Sequence, residues 1–189
     1  MTSSIVWLVL IYGWIASEVF IGISTRTKRS SGNVRDRGSL LILWIGITLG
    51  MTASSLIGET RPPNMFGGAY WPKLASAILV VIGLGIRWTA IVTLGKSFSS
   101  NVAIQKKQKL TSTGLFRFVR HPSYLGLLLV FLAVALHSDN WIGFAAALIP
   151  TTVALLYRIR VEETALIAAF GEEYVAYSRK TKRLIPGLY

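Results

Sequence analysis

The stretch FRFVRHPSYLGLLLVFLAVAL, residues 116–136, sets charged side chains directly before an unbroken apolar run. A bilayer core of ~30 Å needs about 20 helical residues at ~1.5 Å each, and this run is shorter than that. The sequence HSDN at 137–140 favours a tight turn, and a further apolar segment follows it. The stretch therefore predicts the first arm of a helical hairpin that starts below the membrane surface.

Composition and hydropathy place the rest of the chain in a membrane as well. The 189 residues are 52% hydrophobic, with a mean hydropathy of +0.55, which is too apolar for a soluble domain. We expect an all-α integral membrane protein that forms a single domain over 1–189. Its five predicted transmembrane helices cover about 5–23, 40–57, 74–94, 123–137 and 141–157.

The basic residues predict the orientation of these spans. Of the 20 Lys and Arg residues, 17 fall in 24–39, in 95–122 and from 158 onward, all on one side of a five-span chain. The positive-inside rule then puts the N-terminus outside and the C-terminus in the cytoplasm, in a bacterial inner membrane or the endoplasmic reticulum. The net charge of +12 reflects this topology and attraction to anionic lipids, and nucleic acid is not an expected partner. MTSS at 1–4 carries no basic residue, so we expect a retained first span instead of a signal peptide.

Several site classes are excluded or weakened by residue type. The absence of cysteine rules out disulfides, thiolate nucleophiles and Cys-based zinc or iron–sulfur sites, and no metal site is predicted. The small residues of GITLG at 46–50 predict helix packing. GLG at 83–85 is not a dinucleotide loop, because no strand precedes it and no third glycine follows. Glu18 and Arg87 lie within spans, where such residues are functional, paired or snorkelling.

Three cytoplasmic segments are expected to converge: 101–116, 120–124 and 157–166. Pro122 suits the first position of a helix, whose following N–H groups and dipole favour an anion. Antiparallel pairing of the hairpin arms places His121–Tyr124 beside Arg158–Glu163. Arg158 and Glu162 share one helix face, either as a solvated ion pair or as the wall of a partly desolvated pocket.

The tail from 158 onward predicts one or two amphipathic helices that lie back on the membrane or on the 95–122 segment. Its large side chains recur at helical spacing and predict a packing face, with Gly171 as the break. These side chains are Leu166, Ile167, Phe170, Tyr174 and Tyr177.

The combination of TGLFRFVRHPSYLG at 113–126 with RVEETALIAAFGEEYVAYSRKTKRLIPGLY at 160–189 resembles the isoprenylcysteine carboxyl methyltransferases and their prokaryotic relatives. The resemblance covers about 92–189, and the first three spans match in hydropathy alone. It implies an integral membrane enzyme that uses S-adenosylmethionine. The cofactor pocket would be cytoplasmic, formed by 95–122 and the helical tail 158–189.

The resemblance also implies roles for single residues. Glu162 would bind the charged end of the cofactor, and Arg158 would face the carboxylate of the substrate. Phe116 stands where many eukaryotic enzymes have tyrosine, and the 105–110 stretch is shorter than theirs, which weakens the adenosyl contacts most. The cofactor contacts would be His121, Pro122, Ser123 and Tyr124, and the adenosyl portion would be lined by Gln105, Gln108, Lys109, Leu110, Thr111 and Phe116.

The implied reaction is methyl transfer to a lipid-linked or apolar acceptor that enters from the bilayer, with carboxyl O-methylation of a C-terminal isoprenylcysteine favoured. A carboxylate, with its reference pKa of ~4, is already ionised and needs no base. An amine or thiol acceptor would want one, for which Glu163 or His121 is the candidate. Phospholipid N-methylation, thiol S-methylation, a nicotinamide-dependent membrane reductase and a non-catalytic membrane subunit remain alternatives. Membrane lipids are expected partners, and no obligate protein partner is evident.

Overall fold

The computed structural model describes residues 2–25, 32–34, 36, 38–60, 62, 65–105 and 108–187. Helices form most of it, which confirms the predicted all-α membrane fold. A two-stranded antiparallel ladder, which the sequence did not predict, pairs Gly32–Val34 with Ala103–Gln105. The elements are α1 (Thr2–Ser24), β1 (Gly32–Val34), α2 (Ser39–Thr60), α3 (Trp71–Leu94), β2 (Ala103–Gln105), α4 (Pro122–His137), α5 (Trp141–Phe170) and α6 (Glu172–Lys180).

Among the described residues, four helices are long and apolar enough to cross a membrane: Ile5–Ser24, Ser39–Thr60, Trp71–Ser97 and Trp141–Phe170. The fifth apolar helix, α4, has 16 residues and so a length of about 24 Å. It is the fourth of the five predicted spans, which was expected to be short, and it is shorter than the four helices above. Eight of the basic residues used for the topology lie outside the described residues: Arg26, Lys28, Arg29, Arg35, Arg37, Arg61, Lys106 and Lys107.

The last long helix runs further than predicted. The fifth span was expected to end near 157, but α5 continues to Phe170. No glycine or proline interrupts 158–170, so nothing ends the helix where its apolar stretch ends. Gly171, with φ 55°, is the first residue that does, as predicted. The polar residues from Arg158 to Glu163 therefore lie on the same continuous helix as the membrane-embedded part of α5.

Glycines set two close helix crossings. A Cβ on Gly46 of α2 would lie 2.9 Å from the Cβ of Ala154, which confirms that GITLG packs a helix, here against α5. A Cβ on Gly83 of α3 would lie 2.6 Å from the carbonyl oxygen of Gly126 in α4. The GLG sequence is thus a crossing point, and the crossing fixes the start of α4 against α3.

The far end of the hairpin is fastened by the turn that the sequence predicted at 137–140. Asp139 has φ 47°, and its carboxylate accepts hydrogen bonds from the amides of Phe66 and Gly68 at 2.6 and 2.7 Å. The side chain of Asn140 caps α5 by accepting from the amide of Ile142. Because both arms of the hairpin are held at this turn, their other ends face each other in a fixed register.

Candidate active site

The site begins at the first turn of α4. Pro122 occupies the start of the helix, as predicted. The amides of Tyr124 and Leu125 each donate to the carbonyl of His121 at 3.0 Å. The sequence predicted that the N–H groups after Pro122 could bind an anion. These two N–H groups are not free to do so, because they are already bonded within the chain.

Arg158 of α5 lies at the centre of a polar cluster. Its guanidinium donates from Nε to the hydroxyl of Tyr124 at 2.9 Å, which confirms the predicted register of the hairpin. Nη1 donates to Asp36 Oδ1 and to Ser39 Oγ, both at 3.0 Å, and Nη2 donates to the carbonyl of Ser100 at 2.5 Å. Arg158 is only 3% exposed. These four hydrogen bonds commit the guanidinium to the protein itself.

Asp36 forms the ion pair of this cluster. Besides Arg158, its carboxylate accepts from the hydroxyl of Ser39 at 2.9 Å and from the amides of Val102 and Leu40 at 3.3 Å. Burial by itself would raise the pKa of Asp36, but these hydrogen bonds and the charge of Arg158 lower it below the ordinary value of 3.8. Asp36 is therefore ionised near neutral pH and neutralises Arg158.

Glu163 holds a second cluster together. Its two carboxylate oxygens accept from Nε of Arg120 and Nε of Arg183, each at 2.9 Å. Nε2 of the buried His121 lies 3.4 Å from the same carboxylate. Glu163 thus joins α5 to the residues before α4 and to the C-terminal segment. Because an arginine occupies each of its oxygens, the carboxylate is poorly placed to accept a proton.

Backbone pairing reinforces this junction. The amides of Arg120 and His121 donate to the carbonyls of Lys182 and Arg183 at 2.7 and 3.0 Å. The guanidinium of Arg120 also donates to the carbonyls of Ser178 and Thr181. Arg120 therefore anchors the C-terminal segment to the start of α4.

A third cluster lies within the membrane-embedded region. Arg87 of α3 donates from Nε and Nη2 to the two carboxylate oxygens of Glu18 in α1, at 2.5 and 2.6 Å. Its Nη1 donates to the hydroxyl of Ser123 at 2.7 Å. Both charged residues are buried. Of the readings left open for Glu18 and Arg87, the structure shows pairing, and the pair fixes the first turn of α4.

One cavity joins these clusters and brings almost all the predicted site residues together. Gln105 ends β2, and its side chain lies outside the described residues. Lys109 lines the cavity and is exposed. The predicted residues that line the cavity are Gln108, Lys109, Leu110, Thr111, Phe116, His121, Pro122, Ser123, Tyr124, Arg158 and Glu162.

Other walls of this cavity were missed or were interpreted as packing. Leu166 and Phe170 of α5 line it. So do Tyr174 and Tyr177 of α6, and the hydroxyl of Tyr177 donates to the carbonyl of Phe116 at 2.6 Å. Their helical spacing identified one face, but periodicity does not tell what that face covers. On the membrane side, the cavity is lined by the apolar side chains Ile21, Leu43, Ile47 and Leu127.

The polar atoms of the cavity favour a ligand with a cationic end. Glu162 contacts Nδ1 of His121 at 3.8 Å, and its Oε2 is buried without a hydrogen bond within the described chain. The hydroxyl of Tyr174 is also buried without a hydrogen bond within the described chain. Burial raises its pKa, so the hydroxyl keeps its proton and can donate it to a hydrogen bond. Buried polar groups of this kind call for a partner. A ligand that brings an ammonium group to Glu162 and an acceptor atom to Tyr174 would satisfy both.

Comparison with known proteins agrees with this arrangement. Residues 76–168 match the family model "Isoprenylcysteine carboxyl methyltransferase (ICMT) family". Protein-S-isoprenylcysteine O-methyltransferase B of Arabidopsis thaliana is 29% identical over 119 residues, which are 62% of this chain and 60% of that protein. Methanethiol S-methyltransferase of Crocosphaera subtropica is 36% identical over 153 residues, 78% of this chain and 56% of that protein. The chain therefore spans about 60% of the length of the first of these relatives.

A solved structure shows the same fold. A eukaryotic intramembrane Ras methyltransferase, isoprenylcysteine carboxyl methyltransferase, superposes with a TM-score of 0.64 at 23% identity, over 77% of this chain and 52% of that chain. The family match starts at residue 76, so it includes most of α3, which was expected to match in hydropathy alone. It also includes the start of α4 and the polar face of α5. Through residues 76–168, this chain matches the isoprenylcysteine carboxyl methyltransferase family.

Proposed function

We propose that this protein is an S-adenosylmethionine-dependent methyltransferase that acts on a lipid-linked or apolar acceptor. The favoured acceptor is the carboxylate of a C-terminal isoprenylcysteine or an analogue of it. One observation carries the proposal: a single cavity has a polar half, where Oε2 of Glu162 has no hydrogen bond within the described residues, and an apolar half formed by membrane-embedded helices. A polar cofactor and an apolar acceptor could meet there.

The residues present fit the cofactor. Its ammonium group would lie at Glu162, beside His121 and Tyr124. Gln105, the 108–111 segment and Phe116 would line its adenosyl portion. When bound, S-adenosylmethionine supplies a methyl group on a sulfonium, for which a neutral thioether is the leaving group. The net positive charge of this cofactor complements the carboxylate of Glu162.

The protein contributes positioning and exclusion of water. A carboxylate acceptor is ionised near neutral pH, so no proton has to be removed before transfer. The rigid α4–α5 hairpin would hold donor and acceptor in line, which is worth several kcal/mol in oriented reactions. The apolar side chains of α1 and α2 would keep water from the acceptor oxygen. Arg158 is the proposed contact of the acceptor carboxylate.

Thiol S-methylation is the second candidate, and two observations favour it. The methanethiol S-methyltransferase covers 78% of this chain, and Arg158 is already neutralised by Asp36. A thiol would need a base. His121 is the better candidate of the two that the sequence suggested, because Glu163 is held by Arg120 and Arg183.

We also propose that the acceptor enters laterally from the bilayer, with the pocket on the cytoplasmic side and the N-terminus outside. The chain has no native cysteine, so single-cysteine variants test the orientation directly. A membrane-impermeant thiol reagent applied to intact cells should label a Thr60→Cys variant and not a Ser112→Cys variant. The reverse labelling pattern would mean that the protein has the opposite orientation in the membrane.

Binding and turnover test the function in two steps. Calorimetry in detergent should show binding of S-adenosylmethionine and S-adenosylhomocysteine, and not of NADPH. A Glu162→Gln variant should weaken binding of both by roughly tenfold or more, since it removes the charge opposite the ammonium. A Glu172→Gln variant, on the exposed face of α6, is the matched control. Methyl transfer to a prenylcysteine, a phosphatidylethanolamine and a small thiol then identifies the acceptor class. Absence of binding by both adenosyl compounds would overturn the proposal.

A further inference from the structure

The cavity has a charge balance that neither the sequence nor the comparisons suggested. Three arginines line its described part: Arg87, Arg120 and Arg158. Each is matched by a carboxylate in an ion pair of 3.0 Å or less, with Glu18, Glu163 and Asp36 respectively. Within the described residues, each arginine of the cavity therefore already has a carboxylate partner before any acceptor binds.

The Arg158–Asp36 pair is the one that bears on the acceptor. Arg158 lines the cavity, whereas Asp36 lies behind it and does not. Four of the five N–H groups of Arg158 are used by Tyr124, Asp36, Ser39 and Ser100. Asp36 therefore both occupies a donor and cancels the charge that would attract an anion.

We propose that Asp36 is a positioning residue that tunes which acceptor charge the pocket accepts: by pairing with Arg158 it weakens the attraction for an acceptor carboxylate, so that uncharged acceptors can bind as well. The inference rests on the proposed function of the cavity and adds its specificity determinant. Two carboxylates on one guanidinium repel each other, and close charge pairs of this kind couple strongly at buried sites. An uncharged group, such as a thiol or a carboxamide, is not repelled by the carboxylate of Asp36.

An Asp36→Asn variant tests the idea because it removes the charge and keeps an oxygen in place to accept from Arg158 and Val102. The probes are N-acetyl-S-farnesylcysteine and its carboxamide, which differ in charge at one end. Their dissociation constants are measured by calorimetry in detergent, without cofactor, for the wild type and the variant. In Asp36→Asn we expect the affinity for the acid, relative to the affinity for the amide, to rise roughly tenfold or more. An Asp36→Glu variant, which keeps the charge, should retain the wild-type ratio.

A second variant keeps the test decisive if Asp36→Asn does not fold. Ser39 both holds Asp36 and accepts from Arg158. Ser39→Ala should therefore shift the ratio in the same direction, by about two- to fivefold, as expected for loss of a hydrogen bond. A purely structural role of Asp36 would weaken acid and amide alike. An acid-to-amide ratio unchanged in the variants would overturn the proposal.

The outcomes also separate this inference from the proposed function. If the adenosyl compounds bind and methyl transfer occurs, but the ratio does not move, only the role of Asp36 fails. If neither adenosyl compound binds in any variant, the methyltransferase proposal fails, and the acid and amide ratio still reports on Asp36.

Discussion

The ion pair between Glu18 and Arg87 offers the most quantitative test of how the site is held. Its atoms are 2.5 and 2.6 Å apart in two parallel hydrogen bonds, and the side chains are 8% and 7% exposed. With charge centres about 4 Å apart, the attraction is roughly 4 kcal/mol at an effective dielectric constant of ~20. Desolvation offsets much of this gain, so the pair as a whole contributes little net stability.

Breaking the pair on one side is a different matter. A Glu18→Gln variant leaves Arg87 charged and buried, which costs about 3–5 kcal/mol. For a chain of this size, that corresponds to a decrease of roughly 6–20 °C in the melting temperature. An Arg87→Met variant should cost less, because Glu18 can then take up a proton. The double variant should be more stable than the sum of the two costs predicts, by about 2 kcal/mol or more.

The melting temperatures of these variants are measured in one detergent at several concentrations of S-adenosylmethionine. Their differences from the wild type give the stability costs. The matched control is Ser17→Ala. Ser17 accepts from the indole N–H of Trp88 at 2.9 Å, one residue along from each member of the ion pair, and its loss should cost about 1 kcal/mol. If Glu18→Gln and Ser17→Ala lower the melting temperature equally, the buried charge is not what matters and the reasoning is wrong.

Four further variants have expected outcomes. Gly126→Ala should lower stability by about 1–3 kcal/mol, because the new Cβ would lie 2.5 Å from a backbone oxygen of α3. Gly85→Ala, with nothing within 4 Å, should be neutral or stabilising in the same thermal assay. Because the pKa of Asp36 is lowered in the folded state, its stabilisation is fully present above the unfolded value of 3.8 and is lost as the pH falls through the folded value. The stability difference between wild type and Asp36→Asn should therefore shrink below pH ~4, and a difference independent of pH would contradict this. Tyr177→Phe should cost about 1 kcal/mol and loosen α6, as measured by hydrogen exchange, because it removes the bond to Phe116.

The order of the helices was predictable because it depends on patterns that are local in sequence. A short apolar run, the turn at 137–140 and the next apolar run determine the α4–α5 hairpin and its register. That register alone places Tyr124 against Arg158. The length of α5 was missed because the end of an apolar stretch was taken for the end of a helix. Helix ends are set by residues such as Gly171, and polarity by itself does not end a helix.

The partners of the buried charges were not predictable, because each involves residues far apart in sequence. Glu18 and Arg87 are 69 residues apart, and Asp36 and Arg158 are 122 apart. Only helix packing decides such contacts, and the packing depends on glycine crossings whose angles a sequence pattern does not give. Asp36 also lies in a charged segment between α1 and α2 that looks like an ordinary basic loop. Its single acidic residue stood out neither by spacing nor by motif.

The location of Asp36 bears on how one pocket could serve acceptors of different charge. The family match covers 76–168 and so contains Arg158 but not Asp36 or Ser39. The start of α4 and Arg158, the proposed contact of the acceptor, therefore belong to the matched part, whereas the carboxylate that pairs with this arginine comes from outside it. Relatives named for a prenylated carboxyl group and for a thiol both match this chain. If acceptor charge is set by what stands behind Arg158, the difference between such enzymes can lie in the segment before α2, with the transfer chemistry in α4 and α5 left unchanged.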